Sequence, residues 1–169
     1  MESTLVQETP RPYPSRAESG VDSLKAGSGI VAYLAHGVLD KRVPGEYTPA
    51  RLIQSLKTGL PVRELEDLRN SLDLPMERLV PMLGISKATL HRRMAAGRLG
   101  PAESDRVVRF AKLLGKAVGV MESAENARAW LSTGQRGLGG AVPLEYAETE
   151  VGAREVEDLL GRIEYGVYA

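Results

Sequence analysis

The chain has 169 residues, 43% of them hydrophobic and 26% charged, with 22 basic side chains balanced by 22 acidic ones, room for one or two small globular domains. It has no cysteine, which excludes disulfides, thiolate zinc sites and cysteine nucleophiles together, and only 5% aromatic residues, so its core must come from Leu, Val, Ile and Ala, which favours helices over a β-sandwich. No apolar run approaches the roughly 20 residues of a membrane-spanning helix, and the polar start lacks the apolar stretch of a signal peptide; a cytoplasmic protein with no membrane partner is expected.

Residues 1–29 are rich in Ser, Pro, Glu and Gly, with Pro10, Pro12 and Pro14 closely spaced. Without an apolar period they are predicted to form a disordered tail. Residues 30–60 form an N-terminal segment. There Ile30-Val31-Ala32-Tyr33-Leu34-Ala35 suits either a short strand or a helix start, a choice that periodicity does not make over so short a run. His36 has no second ligand nearby and reads as a surface or packing residue, since zinc takes three or four ligands. Val43-Pro44-Gly45-Glu46 is a turn. Pro49 then opens a helix with Leu52, Ile53 and Leu56 on one side, stopped by Gly59 and Pro61. That face can pack on the next domain or on a second copy, which makes the segment a candidate for dimerisation.

Residues 61–120 carry the pattern of a DNA-binding domain. Val62, Leu65, Leu68 and Leu72 repeat at helical spacing and predict a supporting helix. Pro75 suits the first turn of the next. Then Leu83-Gly84-Ile85-Ser86-Lys87-Ala88-Thr89-Leu90-His91-Arg92-Arg93 reads as the turn and second helix of a helix-turn-helix. Leu79, Leu83, Ile85 and Leu90 supply its apolar underside. Gly84 stands where a positive φ is wanted, and Ser86 can cap the second helix through the N–H of Thr89. The recognition helix would present Ser86, Lys87, Thr89, His91, Arg92 and Arg93 around a buried Leu90, with no carboxylate interrupting them. Pro81 falls inside the first helix, where it cannot donate to the carbonyl near Glu77, so that helix should be short or kinked. Gly97-Arg98-Leu99-Gly100-Pro101 restarts the chain, and Val107, Ala111, Leu114 and Val118 mark a further amphipathic helix.

The zero net charge conceals a division along the chain. Residues 75–118 hold nine Lys or Arg against three acids, a surplus of six, whereas residues 119–169 hold four Arg against nine acids, a deficit of five. Polyanion binding follows local charge rather than the total.

Residues 121–169 change character. Ser123 can cap a helix carrying Ala127, Trp130 and Leu131, which ends at Thr133-Gly134. Leu138-Gly139-Gly140 is a turn leading into a helical turn from Pro143; without a Gly-Lys-Ser/Thr ending or a preceding strand it is not read as a phosphate cradle. Thr149 or a neighbour caps a last helix, on which Val156, Leu159, Leu160 and Ile163 form a stripe that reads as core. The end, Glu164-Tyr165-Gly166-Val167-Tyr168-Ala169, is unusually aromatic.

Taken in order, Leu83-Gly84-Ile85-Ser86 with Thr89-Leu90 and Arg92-Arg93, Gly97-Arg98-Leu99 with Glu103-Ser104-Asp105-Arg106, Ala129-Trp130-Leu131, Leu138-Gly139-Gly140 with Pro143-Leu144, and a closing helix with Gly152, Val156, Leu160, Ile163 and Tyr165-Gly166 resemble the Xre-type antitoxin family. That family includes the MbcA and ParS antitoxins and is partnered with RES-domain toxins. The likeness runs from about Leu60 to the C-terminus. It implies an all-α protein, with an Xre/Cro-like helix-turn-helix domain followed by a small helical toxin-binding domain. It also implies that the cognate toxin consumes NAD, and that the antitoxin blocks its active site and autoregulates its operon through operator DNA.

On this reading Lys87, Thr89, Arg92 and Arg93 make most DNA contacts with Ser86 and His91 beside them, and a homodimer is expected, because one helix-turn-helix reads only a few base pairs. Glu145, Tyr146, Tyr165 and Tyr168 are the expected toxin contacts, an acidic and aromatic surface suited to a cleft that receives an anionic dinucleotide. No catalytic residue, cofactor or metal is expected: two isolated histidines, no cysteine and no nucleophile elbow argue against an enzyme. The alternatives are a stand-alone helix-turn-helix repressor and an interaction module that no longer touches DNA.

Overall fold

A computed structural model describes residues 29–36 and 48–167. The expected tail up to residue 28, the turn at Val43-Pro44-Gly45-Glu46, the side chain of His36 and the whole of Tyr168 lie outside the described residues. Every element among those described is helical, apart from a lone antiparallel bridge between Pro61 and Arg98. No described helix is long and apolar enough to cross a membrane.

The open choice at Ile30 resolves as a helix, α1 (Ile30–His36), which buries Ile30, Val31 and Ala32. Its start is held from a distance: the buried carboxylate of Glu64 accepts the N–H groups of Ile30 (3.3 Å) and Val31 (3.0 Å). These are orphan donors that every helix start leaves over. α2 (Pro49–Thr58) opens on Thr48, whose hydroxyl accepts the N–H of Arg51, and closes on Gly59 at φ +84°. Leu52 and Leu56 lean on the core while Ile53 stays about half exposed, so the predicted apolar face is divided between packing and solvent. α3 (Arg63–Leu72) buries Leu65, Leu68 and Leu72, the predicted stripe.

α4 (Met76–Met82) and α5 (Lys87–Ala96) form the helix-turn-helix, and α6 (Pro101–Met121) is the central post. The sequence pattern marks one stripe on α6. Val108, Phe110, Leu113 and Ala117 are buried as well, because α1 and α3 pack on it together with α7 (Ala124–Leu131) and α9 (Glu150–Glu164). A helix apolar on most sides is a buried one. Between α7 and α9 come a 3₁₀ turn at Arg136–Leu138 and the short α8 (Pro143–Tyr146). Ser123 and Thr149 cap α7 and α9 as the sequence predicts, accepting the N–H groups of Asn126 and Gly152.

One apolar cluster runs from Ile30 through α6 to Leu160. Val156 and Leu160 of α9 have no solvent exposure, and Lys116 of α6 donates to the carbonyl of Glu157 at 2.7 Å. The halves before and after Met121 therefore share a wall.

Candidate nucleic-acid interface and partner surface

The helix-turn-helix is assembled as its residues demand. Leu79, Val80, Met82, Leu83 and Ile85 are buried beneath it. The chain leaves α4 through Gly84 at φ +61°, with the N–H of Gly84 on Pro81 O (2.8 Å) and that of Ile85 on Val80 O (3.1 Å). Pro81 is exposed in the last turn. Its missing N–H coincides with a helix of only seven residues, so α4 is short, one of the two outcomes expected. Ser86 Oγ accepts the N–H of Thr89 at 3.1 Å and donates to Thr89 Oγ1 at 3.0 Å. Gly97, at φ +71°, ends α5.

α5 has no fully buried residue. Thr89, Leu90 and Arg93 form its half-buried inner side, so Leu90 is less buried than the pattern suggests. Lys87, His91 and Arg92 point outward with Ala88, Ala95 and Ala96 around them. Such small side chains keep the helix narrow enough for a groove about 12 Å wide, and an alanine methyl can meet a thymine methyl there.

The basic surplus looks different in space. Arg93 is paired with Glu103 of α6 at 3.3 Å, so a carboxylate does interrupt the basic face, brought from another helix. Arg106 donates to Leu83 O (2.9 Å) and more weakly to Gly84 O (3.4 Å). Arg98 donates to Gly59 O, Arg109 pairs with Asp105, and Lys116 is held by Glu157 O. Arg78 stands 4.0 Å from Glu145. Of the nine, Lys87, Arg92 and Lys112 have no such partner among the described residues. Lys112 lines a cleft of about 290 Å³ between α2, α6 and α9, away from α5.

Beyond α6 the expected partner residues are divided. Glu145 and Tyr146, both exposed, sit before α9, while Tyr165 (80% exposed) follows its end. The carbonyl of Tyr146 packs against Gly152 in the first turn of α9, so the two groups stand at opposite ends of a fifteen-residue helix about 22 Å long at 1.5 Å per residue. Val151 and Val167 add exposed apolar surface, one near each end of α9. Neither was singled out from the sequence, although Val151 lies off the buried stripe of its helix and was legible on that ground. Among the described residues no cluster of three or more His, Asp or Glu is placed to hold a metal.

Comparison with known proteins places both halves. Residues 51–112 match the family described as the antitoxin Xre-like helix-turn-helix domain, and residues 116–166 match the antitoxin Xre/MbcA/ParS C-terminal toxin-binding domain. The antitoxin Xre of Yersinia enterocolitica is 36% identical over 120 residues, 70% of this chain and 81% of that protein. The antitoxin Xre of Photorhabdus laumondii is 32% identical over 114 residues, 66% of this chain and 77% of that protein. The Prs ADP-ribosylating antitoxin of a Sphingobium strain is 26% identical over 132 residues, 72% of this chain and 83% of that protein.

Proposed function

This chain belongs to the Xre family of antitoxins, and on that premise we propose that it neutralises a RES-domain, NAD-degrading toxin in the cytoplasm by blocking the active site. As a homodimer it also binds operator DNA to control its own operon. The observation that carries the reading is the opposite character of two exposed surfaces on one shared core. α5 offers Lys87, His91 and Arg92 with nothing fully buried, and the region matching the toxin-binding domain offers Tyr146, Val151 and Tyr165 among acids, with Val167 just past its end. The first suits phosphates and base edges in a major groove. The second suits a protein cleft, where exposed aromatic residues anchor interfaces.

In this assignment Lys87, His91 and Arg92 are the outward DNA contacts. Ser86 and Thr89 present the start of the helix. Glu145, Tyr146 and Tyr165 contact the toxin, and Tyr168 is kept as a fourth contact from the sequence reading. Truncating α9 is a poor test, because Val156 and Leu160 would leave the core with it. The better one titrates the purified chain into the RES-domain protein encoded beside it and follows NAD consumption. The expected result is stoichiometric arrest by the wild type and at least about tenfold weaker inhibition by the Y146A/Y165A double variant, with its helical signal unchanged. NAD consumption that continues with the wild-type chain in excess would refute the toxin reading. Equal inhibition by the double variant would refute the surface.

A further inference from the structure

We infer that α6 grips the recognition helix and the turn leading into it through Glu103 and Arg106, and that Arg93 serves this clamp rather than the DNA; the inference rests on the operator-binding reading above. The need for a clamp is visible in the burial. α3 and α6 bury several side chains each, whereas α5 buries none completely; Leu90 leans on the core and Gly97, just past the helix, accepts the N–H of Val62 at 3.1 Å, so polar contacts carry much of its placement. Glu103 and Arg106 are three residues apart on α6 and so share a face.

The first point is the turn. Arg106 Nη1 donates to the carbonyls of Leu83 and Gly84, just ahead of the Ser86 cap. The second lies about two turns along α5, where Glu103 Oε1 accepts from both Nε and Nη2 of Arg93 at 3.3 Å. Glu103 is buried and the Arg93 side chain is only 29% exposed. Gly100 makes the fit possible: a Cβ there would strike the Glu103 carboxylate and stand 2.6 Å from Arg93 Nη2. From Ser86 to Arg93 the helix rises about 10 Å at 1.5 Å per residue. Two side-chain anchors that far apart, together with the backbone tie at Gly97, fix the tilt of the rod.

The chemistry decides what Arg93 is for. Turning it to a phosphate would leave the largely buried Glu103 carboxylate without its counterion, which is unfavourable. Arg93 and Glu103 are thus positioning residues, and the outward cations do the binding. Tilt matters for base edges, which demand bidentate geometry, and much less for phosphates, which a flexible cation can follow.

The test compares affinity for the operator with affinity for unrelated DNA of equal length, using the full chain and variants whose melting curves show them folded. E103Q, R106Q and R93E are expected to lower that ratio about tenfold, the scale of one well-placed base contact. The charge-swapped pair R93E/E103R is expected to recover it to within about threefold of wild type, since a restored ion pair restores the tilt. An unchanged ratio in the single variants, or a swap no better than R93E, overturns the clamp. A second readout needs no DNA: amide exchange across Lys87–Ala96 should accelerate in E103Q and R106Q, by about tenfold for each 1.4 kcal/mol of lost local stability. Unchanged exchange overturns the clamp even if the operator reading stands. A wild type without preference for the operator overturns that reading and leaves exchange to decide the clamp.

Discussion

The recognition helix yields a quantitative expectation that differs between the sequence and the structure. Changing Lys87 and Arg92 together to Ala removes the two cations of α5 that have no partner among the described residues, whereas changing Arg93 removes a side chain already neutralised by Glu103. Each phosphate neutralised on B-DNA contributes about 0.9 to the slope of log affinity against log salt. The K87A/R92A variant should therefore flatten that slope by about 1.8 per half-site, or about 3.6 for a dimer. Between about 50 and 200 mM salt, a slope change of 1.8 corresponds to roughly a twelvefold difference in how far affinity falls. Fluorescence anisotropy on operator duplex across that salt range measures it. R93A should leave the slope within about 0.3 of wild type while lowering operator affinity. A flat response to K87A/R92A, or a loss of about 0.9 per half-site in R93A, would refute the argument that Glu103 withholds Arg93 from the backbone.

Four other substitutions probe the fold and its two surfaces. Gly152→Ala would drive a Cβ into the carbonyl oxygen of Tyr146, so it should cost about 1–3 kcal/mol in urea unfolding and weaken toxin inhibition more than operator binding. Glu64→Ala strands the N–H groups of Ile30 and Val31 and should cost about 1–3 kcal/mol, with amide protection lost first across Ile30–His36; retained protection there would contradict the assigned cap. Leu160→Ala empties a fully buried site against α6 and should cost about 2–5 kcal/mol in a single unfolding transition. Two transitions, with the helix-turn-helix half unaffected, would show that the common core is not cooperative. Ser86→Ala removes the cap of α5 and should cost about 1 kcal/mol, seen as faster exchange at Thr89.

The features legible in the sequence have short-range causes. Ser86, Ser123 and Thr149 act three residues away, Gly84 answers to its own φ, and the stripe on α3 repeats within one helix. The same local reasoning named the outward side chains of α5 and the exposed Tyr146 and Tyr165. It passed over Glu64, whose partners lie more than thirty residues away, and Arg106, whose acceptors are backbone carbonyls that carry no residue signal. A tally of charges also treats every cation as free, and so it passed over the pairing of Arg93 with Glu103.

What the sequence by itself determined is the helices from Pro49 onward, the caps at Ser86, Ser123 and Thr149 and the basic character of one helix, because hydrogen bonds within a turn and apolar spacing are settled among neighbours. Only the tertiary structure decided that α6 is buried on more than one side, that the acids of one helix cancel the cations of another, and that both halves lean on one core. Those outcomes depend on which distant surfaces meet, and a charge or a leucine carries no mark of its partner until the chain has closed around it.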